Sequence, residues 1–95
     1  MPGLVYSLAS RIPKGKVTTY GELAKAAGTS ARYVGYLMKN NNSKKVPCHR
    51  VIGSDGSLVG FNGGLQKKIR MLKSEGIEIR NGRIDLSKFF YRVTS

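Results

Sequence analysis

Gly28 punctuates this chain more sharply than any other residue. Before it, Thr19 is placed to cap a helix carrying Glu22, Leu23, Ala26 and Ala27, and the glycine supplies a stop. After it, Thr29 or Ser30 caps a second helix over 31–39, with Val34, Leu37 and Met38 on the inner face and Arg32 and Lys39 turned outward. Two short helices joined in this way read as a helix-turn-helix. Only 95 residues are available, and domains usually take about 50–200. Everything else must therefore pack around that pair, in one domain spanning 1–95.

The flanking segments are short. Leu4, Val5, Leu8, Ala9 and Ile12 recur at helical spacing over 2–12 until Pro13 and Gly15 end the pattern, which predicts an opening helix. Residues 16–19 form an extended link, and the polar run 40–45 is a loop. Two β-rich stretches, 50–52 and 58–61, flank Ser54-Asp55-Gly56-Ser57, a strong hairpin signal, and a hairpin after a helix-turn-helix resembles a wing. A further helix is expected over 65–74, with Leu65, Ile69, Met71 and Leu72 packed and Lys67, Lys68, Arg70 and Lys73 facing solvent or phosphate, closed by Gly76. Residues 77–86 alternate around Asn81-Gly82, a second small hairpin. The predicted fold class is mainly α with small β hairpins, a winged helix-turn-helix-like single domain.

Charge narrows the partners. Lys and Arg number 17 against 5 acidic residues, a net +12, which calls for a polyanion, nucleic acid first, because each neutralised phosphate releases counterions. The plain alternative is a solubilising surface. A hydrophobic share of 40% suffices for a core, yet no run approaches the roughly 18 apolar residues of a membrane helix. The N-terminus also lacks the apolar run of a signal peptide. An intracellular protein of the cytoplasm or nucleoid, monomeric and without a membrane partner, is expected. One Cys and one His exclude an internal disulfide framework and a four-ligand structural zinc site. Neither a metal nor another cofactor is expected.

Cys48, after Pro47 and before His49-Arg50, is the candidate for chemistry. A thiol of pKa about 8.5 is mostly protonated at neutral pH, and nearby cations or a histidine base raise its thiolate fraction. Adjacent side chains on a strand point to opposite faces, so Cys48 and His49 cooperate only if 47–49 turns or a water bridges them. Pro47 makes the turn plausible. Each residue also has an ordinary reading: Cys48 as a small buried hydrophobe, His49 as a hydrogen-bonded structural imidazole.

The run Pro47-Cys48-His49-Arg50-Val51-Ile52 is similar to the active-site motif of the methylated-DNA-[protein]-cysteine S-methyltransferases, the alkylguanine-DNA alkyltransferases. Residues 12–24, 31–35, 60–65 and 72–76 also look like family segments, in family order. The resemblance implies a winged helix-turn-helix that enters the minor groove of double-stranded DNA and flips an alkylated guanine. The alkyl group then moves irreversibly to the Cys48 sulfur, a soft nucleophile needing no cofactor. It further implies that His49, oriented by Glu75, draws the thiol proton through a water. Asn41 would brace the active-site turn, with Asn40 as the alternative. Tyr20 would donate to the purine and hold the flipped nucleotide's phosphate, and the Val51 backbone, Phe61 and Asn62 would line the guanine pocket. Arg32 would fill the space left by the flipped base, on a DNA-binding helix that also presents Tyr33, Gly35 and Lys39.

Three departures stand out. No segment matches the larger N-terminal domain of many members, Phe61 stands where many have Tyr, and Tyr33 and Tyr36 add bulk to a helix that is often small-residued. A sister class, the alkyltransferase-like proteins, binds the lesion without repair because Trp replaces the reactive Cys, so a non-catalytic lesion-recognition module is the alternative. A plain winged-helix DNA-binding regulator is a third reading, under which the motif around Cys48 is coincidence.

Overall fold

The computed structural model describes residues 2–40, 46–58 and 65–93. In chain order these give α1 (Pro2–Ala9), β1 (Thr18–Thr19), α2 (Tyr20–Ala27), α3 (Ala31–Lys39), a 3-10 turn (Cys48–Arg50) and β2 (Val51–Ile52). They continue with α4 (Leu65–Ser74), β3 (Ile79–Arg80), β4 (Arg83–Ile84) and α5 (Leu86–Phe89). Among the described residues the fold is mainly helical with two small sheets, the mainly α class with small β elements that the sequence predicts.

The helix pair follows its capping chemistry. The Thr19 hydroxyl accepts from the Glu22 amide at 3.0 Å and opens α2, and Gly28 closes it at φ 74°, a left-handed conformation in which its N–H reaches the Ala24 carbonyl. Ser30, rather than Thr29, caps α3 by accepting from the Tyr33 amide at 3.1 Å. α1 stops at Ala9, three residues before the expected end. The remainder tightens into i to i−3 bonds, with Arg11 N–H on Leu8 and Ile12 N–H on Ala9, and this still buries Ile12.

β2 has a partner that the sequence does not announce. It pairs in parallel with β1, Thr18 opposite Val51 and Thr19 opposite Ile52; the expected ladder with 58–61 falls on 59–61, which lie outside the described residues. The expected turn does form. Gly53 N–H donates to Ser57 O, Gly56 N–H to Gly53 O, and Asp55 Oδ1 accepts from the Ser57 amide. Beyond it the chain joins the other sheet, with Leu58 N–H on Gly82 O and Ile84 N–H on Gly56 O. A Cβ on Gly56 would run into the Ile84 carbonyl, so only glycine permits that approach. Burial accounts for the parallel pair: Val51 and Ile52 are apolar on both faces and fully enclosed, the setting in which parallel strands are found. The hairpin of β3 and β4 turns on Asn81 and Gly82, both at positive φ (53° and 74°), the conformation a two-residue turn requires.

Alternation along β2 divides the interior in two. Val51 joins Val5, Leu8, Ile12, Leu23, Val34, Leu37 and Cys48 in a core beneath α1–α3. Ile52 joins Val17, Leu72, Ile77 and Ile84 in a second core under α4 and the β3–β4 hairpin. The last described residues tie the halves together: Val17 N–H donates to Phe89 O and Tyr91 N–H to Val17 O. Val93 then enters the first core, and its amide donates to Glu22 Oε2 at 3.1 Å. No helix among the described residues is long and apolar enough to cross a membrane.

Candidate active site and adjoining groove

Pro47 starts the site. At φ −79° and ψ 69° it makes an inverse γ-turn, closed by the Cys48 N–H on the Val46 carbonyl at 2.8 Å. The 3-10 turn continues the curl, with Arg50 N–H on Pro47 O and Val51 N–H on Cys48 O. Successive side chains are therefore rotated by about 120° rather than alternating across a strand. Cys48 packs into the first core at 8% exposure, and His49, 6% exposed, turns toward the end of α4.

There His49 meets Glu75. His49 Nε2 donates to Glu75 Oε2 at 2.7 Å, while Arg50 donates through Nε to Oε1 at 2.9 Å and through its terminal nitrogen to Oε2 at 2.8 Å. The other guanidinium nitrogen holds the Ile12 carbonyl at 2.8 Å and so anchors the turn to the end of the opening helix. A carboxylate just past a helix C-terminus is disfavoured by the helix dipole, and these two partners compensate it. Burial pushes the Glu75 carboxyl up, but the bonds from Arg50 and His49 outweigh it and hold its pKa below the ordinary value. For His49, burial is the strongest influence; with Arg50 and Lys68 it outweighs Glu75, and the pKa lies below 6.5. An ionised carboxylate on Nε2 of a neutral imidazole assigns the proton to that nitrogen and leaves Nδ1 with its lone pair.

Lys68 corrects the sequence reading. Expected to face solvent or phosphate, it is wholly buried; its Nζ donates to the Val51 carbonyl at 2.9 Å and lies 5.9 Å from the centre of the Tyr20 ring. Burial lowers its pKa to about 8, and charge on Cys48 pulls the other way. Burial, then charge on Cys48, pushes the Tyr20 phenol up to about 12. Cys48, Tyr20 and Lys68 thus form one electrostatic cluster. A signal was present in the sequence: Lys68 stands three residues after Leu65 and four before Leu72, the spacing of a buried stripe, but it sits among other cations.

Tyr20 also belongs to the surface. With Gly21, Ala31, Arg32, Gly35, Lys39 and Ser54 it lines an open groove of about 570 Å³ between α2, α3 and the turn after β2. Gly21 and Gly35 are helical, and a Cβ on either would meet nothing within 4 Å. Packing among the described residues demands neither glycine, although glycine in a helix costs roughly 1 kcal/mol relative to alanine. Of the remaining predicted residues, Val51 is enclosed in β2 with Lys68 on its carbonyl, and Tyr33 packs half-buried against the first core instead of lining the groove. Asn40 follows α3 and donates from its side chain to the Tyr36 carbonyl. Asn41, Phe61 and Asn62 lie outside the described residues. Among the described residues no three His, Cys, Asp or Glu side chains gather as metal ligands.

Residues 3–77, which include Cys48, His49, Arg50, Lys68 and Glu75, match the family of the 6-O-methylguanine DNA methyltransferase DNA-binding domain. The chain belongs to this family. Relatives of different length are similar to it in sequence. A bifunctional methyltransferase/endonuclease of Picrophilus torridus is 52% identical over 88 residues, covering 90% of this chain and 30% of that protein. A methylated-DNA–protein-cysteine methyltransferase of Pyrobaculum aerophilum is 49% identical over 74 residues, covering 77% of this chain and 49% of that protein. The chain therefore spans less than half the length of these two curated relatives. By contrast, S. pombe Atl1, solved in complex with damaged DNA containing O6-carboxymethylguanine, superposes with a TM-score of 0.87 at 35% identity and covers 96% of this chain and 94% of its own.

Proposed function

We propose that this methyltransferase-family domain repairs alkylated guanine in double-stranded DNA by moving the alkyl group from guanine O6 to its own Cys48 sulfur, once per molecule. The observation that carries the reading is Tyr20, which lines the cationic, glycine-floored groove and also sits in the buried cluster with Cys48 and Lys68, next to the His49–Glu75 pair. The groove accounts for DNA. Arg32 and Lys39 meet phosphates, and Gly21 and Gly35 let a backbone approach closely. A base flipped out of the stack toward Tyr20 leaves a gap that the Arg32 guanidinium can fill.

The chemistry then balances. The thiol proton passes from Cys48 to His49 Nδ1, directly or through one water, and Glu75 stabilises the imidazolium through Nε2–H. The sulfur attacks the alkyl carbon in line; the C–S bond forms as the C–O6 bond breaks, and the guanine leaves carrying the electron pair. Tyr20, kept un-ionised by its raised pKa, is a neutral donor toward the departing purine. The resulting thioether meets no group among the described residues that hydrolyses it.

The similarity to Atl1 over nearly its full length supports a second reading, lesion recognition without transfer. Cys48 with its relay favours the first. Titrating the protein with a duplex carrying one O6-methylguanine separates them. Transfer gives lesion loss that stops at one per protein molecule and is abolished in Cys48→Ala, which still binds. Lesion-selective binding with no lesion loss in the parent supports the second reading and overturns the first.

A further inference from the structure

Tyr36 is the largest apolar side chain that the described residues leave in solvent, 63% exposed against 40% for Leu4. The two stand in different settings. Leu4 lies on the uncharged α1, whereas Tyr36 lies on α3 four residues after Arg32 and three before Lys39, both exposed. At about 100° per residue, Tyr36 emerges about 40° around the helix from Arg32, on the side away from Gly35, and about 6 Å further along the axis. Arg32, Gly35 and Lys39 line the groove, and Tyr36 borders it. The packing of α3 does not use the ring, since the helix buries Val34, Leu37 and Met38. A bulky aromatic held in water on a cationic face is a cost unless something covers it.

We propose that Tyr36 is a second wedge of the DNA-binding face, its ring stacking on the sugar and base edges of the duplex beside the site that Arg32 addresses. This rests on the DNA reading above. The occupant is fixed by what surrounds the ring: Arg32 and Lys39 complement phosphate, and the clearance over Gly35 admits a backbone. The 6 Å between Arg32 and Tyr36 is close to two base-pair rises of about 3.4 Å, so a duplex lying along the groove meets the two side chains about two base pairs apart. Tyr has only two side-chain torsions to immobilise, and apolar or aromatic wedges in the minor groove open base steps.

The test measures binding of a fluorescent O6-methylguanine duplex by the parent, Tyr36→Ala, Tyr36→Phe and Lys39→Ala across salt concentrations, with alkyl transfer from free O6-benzylguanine base as a control. Tyr36→Ala should weaken duplex binding roughly five- to a hundredfold, the range of aromatic–base stacking, with the salt slope unchanged. Tyr36→Phe should stay within about twofold of the parent, and Lys39→Ala should lower the slope by about one. Transfer from the free base should be the same in the parent and both Tyr36 variants. Parent-like duplex affinity in Tyr36→Ala overturns the wedge while leaving the DNA reading intact. So does a parent that self-associates through this face and becomes monomeric in Tyr36→Ala with duplex affinity unchanged. A parent that binds no duplex and accepts no alkyl group fails the underlying reading instead. Because Tyr36 is exposed and Ala is the better helix former, the variant should keep the parent's circular dichroism.

Discussion

Glu75 serves two partners at once, and the division sets the protonation of the site. Arg50 takes two of its bonds and holds it ionised, and His49, which supplies the third, stays neutral at pH 7. Glu75→Gln removes the charge that stabilises a protonated His49 and leaves Arg50 without its carboxylate. We expect transfer to slow by about 100-fold, the low end of general acid–base contributions, and stability to fall by about 3 kcal/mol, as for breaking a buried pair, read by single-turnover kinetics and urea unfolding. Acid should act in the same direction. His49 has a folded-state pKa below its unfolded value, so protonating the unfolded chain draws the equilibrium toward unfolding as pH drops through about 6.5. Glu75, also depressed, adds a further loss as pH falls below 4.5 toward its folded pKa. Lys68 makes a separate, alkaline prediction. Its pKa is about 8 folded against 10.5 unfolded, so between those values the unfolded chain binds the extra proton and stability rises with pH. Urea unfolding at pH 7 and 9.5 should show the parent gaining stability relative to Lys68→Met over that interval; an equal change in both proteins would mean that the ammonium is not buried in solution.

At the scale of elements, α3 combines a residue that weakens the helix with a groove that uses it. Gly35→Ala should stabilise the fold by about 0.5–1 kcal/mol, the helix-propensity difference, because a Cβ there meets only open space. The same Cβ should weaken duplex binding several-fold, so thermal melting and anisotropy are expected to move in opposite senses. Gly28→Ala should instead destabilise by about 1–2 kcal/mol, since its φ of 74° is left-handed. The helix pair was legible in the sequence because caps and stops are local: Thr19, Gly28 and Ser30 each act within a few residues. The parallel pairing of β2 with β1 was not, because Val51 and Ile52 find that strand more than thirty residues upstream and no local signal spans the distance. The candidate site divides in the same way. Pro47 announced the turn that frees Cys48 and His49 from strand alternation, and Glu75 was reached only through the family resemblance. Lys68 was misjudged because a lysine's usual place is solvent, and only the packed neighbours of α4 reveal the carbonyl and the ring that hold it.

For the whole molecule the governing quantities are a net charge of +12 and two cores on either side of β1 and β2. The charge predicts that duplex affinity falls linearly on a log–log plot against salt with a slope reporting several phosphates, and varies little with sequence away from the lesion; an affinity indifferent to salt would deny the electrostatic role of the α3 face. The cores predict how the protein responds to its own reaction. Cys48 packs tightly in the first core, so an added alkyl group overfills it and should lower the melting temperature of the reacted form. The second expectation depends on the sulfur being the acceptor. The most direct test is the intact mass of the protein after incubation with excess O6-methylguanine duplex, followed by mapping of the modified peptide. The account predicts a gain of one methyl group per molecule, carried on Cys48 and absent in Cys48→Ala. A lesion-bound protein of unchanged mass, or a methyl group on any other residue, would contradict it.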